Sequence, residues 1–296
     1  MRVLPACAIA VLLGTGASGA VERQLPDQRL FPTQGNASFR VLLYSPPSAG
    51  GTGHAPAGPS TAGLPVLFYS GEWGWRPLQQ DAASFLAAAG RYVLGIDSPE
   101  YFTQKIEPAA LVSEFQRLKS YLNERSGRGK DAPVVLVGFA AGAEIIPYLL
   151  NRVGAEGVRG IVLIAPDRKG ASVFRVSIQL RMESPPDEVF DVEAELRRMA
   201  PIPVALIEGT LDTHSEAKAL SAVPRGPHKY APIVGGDRQF KEVREGLFRL
   251  LDDALRWIDG QAAGAPQGSG PAAPGSVAPA PAPDAAAPKP GKPSAR

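Results

Sequence analysis

Five short apolar runs, Val66 to Tyr69, Tyr92 to Ile96, Val134 to Val137, Ile161 to Ala165 and Val204 to Ile207, alternate along this chain with segments of helical apolar spacing. The runs are apolar at nearly every position instead of every second one, so both faces of each need cover. A mostly parallel sheet with helices on both faces supplies that cover, and the alternation predicts a three-layer α/β/α domain. Leu111, Phe115, Leu118 and Leu122 form one helical stripe, and Phe240, Val243, Leu247, Leu250, Leu251 and Ile258 form another. Both are read as core-facing. Arg40 to Tyr44 and Val173 to Leu180 are read as further strands, the second as a local addition, and no internal repeat is visible.

Composition sets the limits of that domain. Gln261 to Arg296 is almost entirely Ala, Pro, Gly and Ser, with no aromatic residue and Val277 as its only branched aliphatic. Such a stretch cannot bury enough surface to offset chain entropy, and a disordered tail of polyproline character is expected over residues 261–296. Residues 46–63, of similar composition, are read as a flexible surface loop. Met1 to Ala20 pairs Arg2 with an apolar run and a small-residue ending, Ala17-Ser18-Gly19-Ala20, which reads as a signal peptide cut after Ala20. That apolar run falls short of the roughly 20 residues that span a bilayer. Leu4-Pro5-Ala6-Cys7 resembles a lipoprotein box, and a lipid anchor at Cys7 is the lesser alternative. The expectation is one exported domain over residues 21–260, periplasmic or secreted, with no membrane-spanning segment once mature.

Several function classes drop out. Cys7 is the one cysteine, so a mature chain has no disulfide and its core alone must hold it. Setting aside Arg2 and the tail's Lys289, Lys292, Arg296 and Asp284 takes the net charge from +2 to near −1 for the domain. That balance gives no electrostatic case for nucleic acid. Three scattered histidines supply no usual metal-ligand set, and Gly138 to Gly142 has neither the Gly-Lys-Ser/Thr ending of a phosphate loop nor dinucleotide spacing. No metal and no cofactor are expected.

Gly138-Phe139-Ala140-Ala141-Gly142 lies between an apolar run and a helical segment, the setting of the Gly-x-Ser-x-Gly nucleophile elbow of an α/β-hydrolase. Its central residue is alanine, and a methyl group cannot attack a carbonyl. By position along the chain, Asp212 falls in the place of the triad acid. The loop after the last strand, read as Tyr230 to Val234, runs Gly235-Gly236-Asp237-Arg238 and has no histidine. His54 lies in the Pro/Gly loop, His228 precedes that strand, and His214 alone is near Asp212. Ser70-Gly71-Glu72-Trp73-Gly74-Trp75 follows Val66 to Tyr69, where such folds place an oxyanion donor, the second being the Ala141 N–H. Gly71, Glu72, Trp73, Ala141, Asp97, Ser98 and Tyr101 are the candidate pocket residues; the glycines and tryptophans are equally readable as turn and packing residues.

At these residues a specific resemblance emerges. Ser70 to Trp75, Gly95-Ile96-Asp97-Ser98 with Tyr101-Phe102, Gly142-Ala143-Glu144-Ile145-Ile146-Pro147 and Asn151-Arg152 resemble the bacterial virulence protein family of VirJ and AcvB, over roughly Leu64 to Gly260. The resemblance implies a periplasmic α/β-hydrolase, in some members a hydrolase of lysyl-phosphatidylglycerol and in others a factor tied to secretion. The departures sit at the chemistry: the family has serine where this chain has Ala140, and histidine where it has Asp237. Asp212 carries over as the acid.

Three readings follow. One is a pseudoenzyme that binds a lipid head group, an ester ligand or a protein without cleaving it. Another is a hydrolase with a relocated mechanism, Ser70 or Ser98 as nucleophile and Asp237, Asp212 or His214 as base. The last is an envelope assembly or secretion-associated factor acting through its loops and tail.

Overall fold

The computed structural model describes residues 23–47, 63–175, 182 and 184–264. Eight strands form the main sheet: β1 (Asp27–Pro32), β2 (Ser38–Tyr44), β3 (Val66–Tyr69), β4 (Val93–Ile96), β5 (Val134–Phe139), β6 (Val158–Ile164), β9 (Val204–Gly209) and β10 (His228–Ile233). Their order is β1-β2-β4-β3-β5-β6-β9-β10, with β1, β2 and β4 antiparallel in succession and every later pairing parallel. This is the mostly parallel, three-layer α/β/α architecture that the alternation predicts.

The helices are α1 (Pro77–Ala88), α2 (Ser98–Tyr101), α3 (Pro108–Arg125), α4 (Ala141–Val153), α5 (Val192–Arg198), α6 (Ala217–Leu220) and α7 (Arg244–Gly264). Pro77 and Pro108 open α1 and α3, where a residue without N–H leaves no helical bond unmade. Strand side chains alternate between two cores. Leu67, Tyr69 and Leu136 pack with α3, α4 and α5, whereas Val66, Phe68, Val135 and Val137 pack with α1 and α7. The stripes read from the sequence enter as expected: Leu111, Phe115, Leu118 and Leu122 join the first core, and Phe240, Leu247, Leu251 and Ile258 the second.

The chain leaves β3 toward β4 on one side and later returns to β5 on the other. The carboxyl ends of β3 and β5 therefore flank the switch point at which open α/β sheets hold ligands. Tyr69 pairs with Gly138 there, so the loop after β3 and the turn after β5 emerge side by side.

Three readings of the sequence change. β1 was not anticipated, because only Phe31 of its six residues is buried and Asp-Gln-Arg-Leu-Phe-Pro carries no period-two signal. The strand expected over Val173 to Leu180 is absent from Val173 to Arg175, while residues 176–180 lie outside the described residues. The local addition is instead a short antiparallel pair, β7 (Lys169–Ala171) with β8 (Val189–Asp191). Val173 and Phe174 are buried, Phe174 against the ring of Phe102. The last strand starts at His228 and not at Tyr230, so His228 belongs to it. The segments expected to be a signal peptide (1–20), most of the flexible loop (48–62) and most of the tail (265–296) also lie outside the described residues.

Two glycines make the crossing of β3 and α4 sterically possible. A Cβ on Gly142 would sit 2.3 Å from the Ser70 carbonyl oxygen and 2.5 Å from that of Tyr69, and one on Gly138 would sit 2.3 Å from the Gly142 oxygen. Backbone cannot yield as a side chain does. Gly142→Ala is expected to cost about 3 kcal/mol or more in a urea melt. Gly246→Ala, in α7 with nothing within 4 Å of the new methyl, should instead gain roughly 0.4–1 kcal/mol.

Candidate functional site

The turn after β5 keeps the geometry of an elbow. Ala140 has φ 49° and ψ −120°, outside the regions open to ordinary L-residues. Such a conformation costs on the order of 1–3 kcal/mol and persists only where its surroundings enforce it. They do so here: the Ala140 N–H donates to the Ile164 carbonyl at 2.8 Å, and its own carbonyl accepts from Ala143 and Glu144 at 2.7 and 3.1 Å. The methyl group is 1% exposed, packed beneath the loop after β3, where a Cβ on Gly71 would be 3.5 Å from it. Ala141 begins α4, and its N–H is one of the donors a helix start leaves without an internal partner.

Asp212 follows β9, and its side chain is almost fully buried. Oδ1 accepts the N–H groups of His214 and Ser215 at 2.9 and 3.3 Å. Oδ2 faces the guanidinium of Arg238 at 3.5 Å. This corrects the expectation for the loop after β10. Asp237 does not stand on Asp212; it is exposed, and its carboxylate accepts the N–H groups of Gln239 and Lys241, closing its own turn. Its neighbour Arg238 reaches the acid where a histidine would be sought. A guanidinium stays charged throughout the working pH range and cannot take a proton, so it cannot serve as a base.

An open cleft of about 730 Å³ lies over this point. Glu72, Ala141, Glu144, Asp167, Lys169, Ser184, Asp191 and Arg238 line it, together with Met182, Pro186, Val189 and Phe190, whose ring lies beside Gly170. Glu144 is buried in the first turn of α4, with Oε1 accepting the Asp167 N–H at 3.2 Å. Burial first, then the neighbouring Asp167 charge, pushes its carboxyl up to about 8, against the opposing pull of Arg238. Glu144 and Arg238 are the two site residues that the motif reading missed. The available signal was a lone carboxylate within the apolar stretch Ala141 to Leu150.

Of the expected pocket residues, Glu72 and Ala141 line the cleft and Gly71 packs against Ala140. Asp97, Ser98 and Tyr101 do not line it. Asp97 accepts N–H groups from Trp75 and Glu100, and so joins the loop after β3 to the start of α2. Ser98 and Tyr101 are buried inward, at 0% and 1% exposure. Trp73 stands half in solvent, whereas Trp75 donates from Nε1 to the Tyr44 hydroxyl and covers Gly95. Ser70, also fully buried, accepts the Ser98 N–H at 2.9 Å on its Oγ. Neither serine faces the cleft, which removes the geometric basis for a relocated nucleophile. His214 is exposed beside Asp212, and His228 bonds locally to Gly226. Asn151 and Arg152 serve structure, both reaching the buried Glu195 of α5. Among the described residues, no group of three or more His, Cys, Asp or Glu is placed to hold a metal ion.

A model of the bacterial virulence protein family VirJ matches residues 64–256. The chain belongs to that family. No curated protein matches it in sequence. Among solved structures it is similar to the esterase Est1E from Butyrivibrio proteoclasticus (10% identity, TM-score 0.55, 80% of this chain and 99% of that one). It is likewise similar to an esterase domain from Rhodothermus marinus (14%, 0.54, 78% and 99%). Dienelactone hydrolase from Anabaena variabilis is a third such structure (16%, 0.52, 79% and 99%). At these identities the likeness carries the fold, so this VirJ member is an α/β-hydrolase in architecture.

The raised Glu144 carboxyl fixes a direction for stability against pH. Its folded value of about 8 exceeds the ordinary 4.5, so the folded state holds the proton more tightly. The Glu144 contribution is therefore greatest below about 4.5, declines as pH rises to about 8, and levels off above. Glu144→Gln, which keeps an acceptor for the Asp167 N–H, is expected to flatten the decline between pH 5 and 8 in urea-melt midpoints.

Proposed function

We propose that this VirJ-family protein is exported and acts by binding in its hydrolase cleft, without hydrolysing what it binds. One observation carries the reading: the strained elbow backbone persists at Ala140, while Arg238, a group unable to accept a proton, faces Asp212. A triad in that form has neither nucleophile nor base, and loss of any one member removes several orders of magnitude in rate. The frame and an open cleft over it remain, which supports occupancy by a small molecule, a lipid head group or an ester that meets no hydroxyl at the elbow. Export is supported by the pattern of Met1 to Ala20.

The test follows ester cleavage, with short-chain p-nitrophenyl esters and lysyl-phosphatidylglycerol as substrates. Wild type is expected at the uncatalysed rate. An Ala140→Ser, Arg238→His double variant, which puts a hydroxyl on the elbow and an imidazole beside Asp212, is expected to exceed wild type at least tenfold. Turnover by wild type that Asp212→Ala abolishes would overturn the reading.

A further inference from the structure

Arg238 lines the cleft with a side chain that is 20% exposed. Among the described residues its hydrogen-bond partner is Asp212, at a long 3.5 Å. A guanidinium carries five N–H donors in a planar fork. Ala141 at the amino end of the 13-residue helix α4 and the Glu144 carboxyl one turn later lie on the same side of the cleft. Met182, Pro186, Val189 and Phe190 supply apolar lining to the same cleft, with Ser184 and Asp191 among them.

Resting on the non-hydrolysing reading above, we infer that the cleft is a binding site for a monoanionic carboxylate on an apolar body, such as a medium-chain fatty acid. The carboxylate accepts from the Arg238 fork and from the helix start at Ala141, and its chain lies along Met182, Val189 and Phe190. Planar two-oxygen acceptors suit a guanidinium fork. The elbow offers no hydroxyl to compete for the ligand.

The surrounding charges decide between anions. Glu144 is faced by Asp167 from the end of β6, by Glu72 from the loop after β3, and by Arg238 from the loop after β10. Lys169 of β7 and Asp191 of β8 line the same cleft. With Glu72, Asp167 and Asp191 near, a second negative charge on the ligand is disfavoured, so carboxylate is preferred to phosphate. Glu144 in its neutral form tolerates the ligand and can donate to it, whereas ionised Glu144 repels it. Affinity therefore falls as pH rises through the ionisation of Glu144, near 8.

The experiment is calorimetric titration of the mature chain with octanoate, butyrate, octyl phosphate and octylamine. Octanoate is expected to bind, and more tightly than the other three. Arg238→Gln should weaken it at least tenfold, with thermal melting checked to show that the variant folds. Arg238→Lys should recover only part of the loss. Wild-type affinity should drop between pH 7 and 9, and Glu144→Gln should remove that drop while still binding. Equal octanoate binding by wild type and folded Arg238→Gln would overturn the inference, as would tighter binding of octylamine or octyl phosphate. Ester turnover by wild type would sink the non-hydrolysing reading and leave an octanoate result standing; no octanoate binding by a protein without turnover would sink this inference alone.

Discussion

The contact between the backbone of α4 and the backbone at the end of β3 is the constraint on which the site depends. Gly142 lies within Cβ distance of two carbonyl oxygens of the β3 segment, and Gly138 within the same distance of α4 itself. Chain so close leaves one path from strand to helix, through the positive-φ conformation of Ala140. Strain of on the order of 1–3 kcal/mol is thereby imposed by packing, not chosen by the residue that bears it. In a working elbow that strain presents a nucleophile. Here it presents a buried methyl group, so the turn persists for reasons of architecture whatever chemistry stands on it.

Electrostatics changes more than geometry does. A neutral base beside Asp212 would leave the site anionic at rest and able to shuttle a proton. Arg238 instead sets a permanent positive charge against the acid and lines the cleft. The proton-active group of the site thus moves from the loop after β10 to Glu144 on α4, where burial has raised its carboxyl to about 8.

Much of the fold was legible in the residues because the parallel strands are buried on both faces and read as unbroken apolar runs. Val66–Tyr69 and the helix stripes at Leu111 and Leu247 entered the structure as expected. β1 was not legible, since an edge strand with one buried residue carries no hydrophobic pattern. The elbow was legible from its glycines, whose spacing reports a backbone contact. The pairing of Arg238 with Asp212 was not, because positional matching assigns a place along the chain and a turn decides which of two neighbours points inward. Asp237 is spent on capping that turn, and Arg238 is the residue left to face the cleft.

The clamp at Glu195 has a mechanical consequence. Asn151 donates to the Glu195 carbonyl and carboxylate at 2.8 and 2.6 Å, Arg152 reaches the same carboxylate, and Tyr148 stacks on Phe190 at 4.6 Å. Glu195 belongs to α5, which continues directly from β8, the far wall of the cleft, while Tyr148, Asn151 and Arg152 belong to the helix that supplies its floor. Floor and wall are thus tied together at the back of the cleft. Spreading them apart would break the Glu195 bonds and the Tyr148–Phe190 stack in one movement.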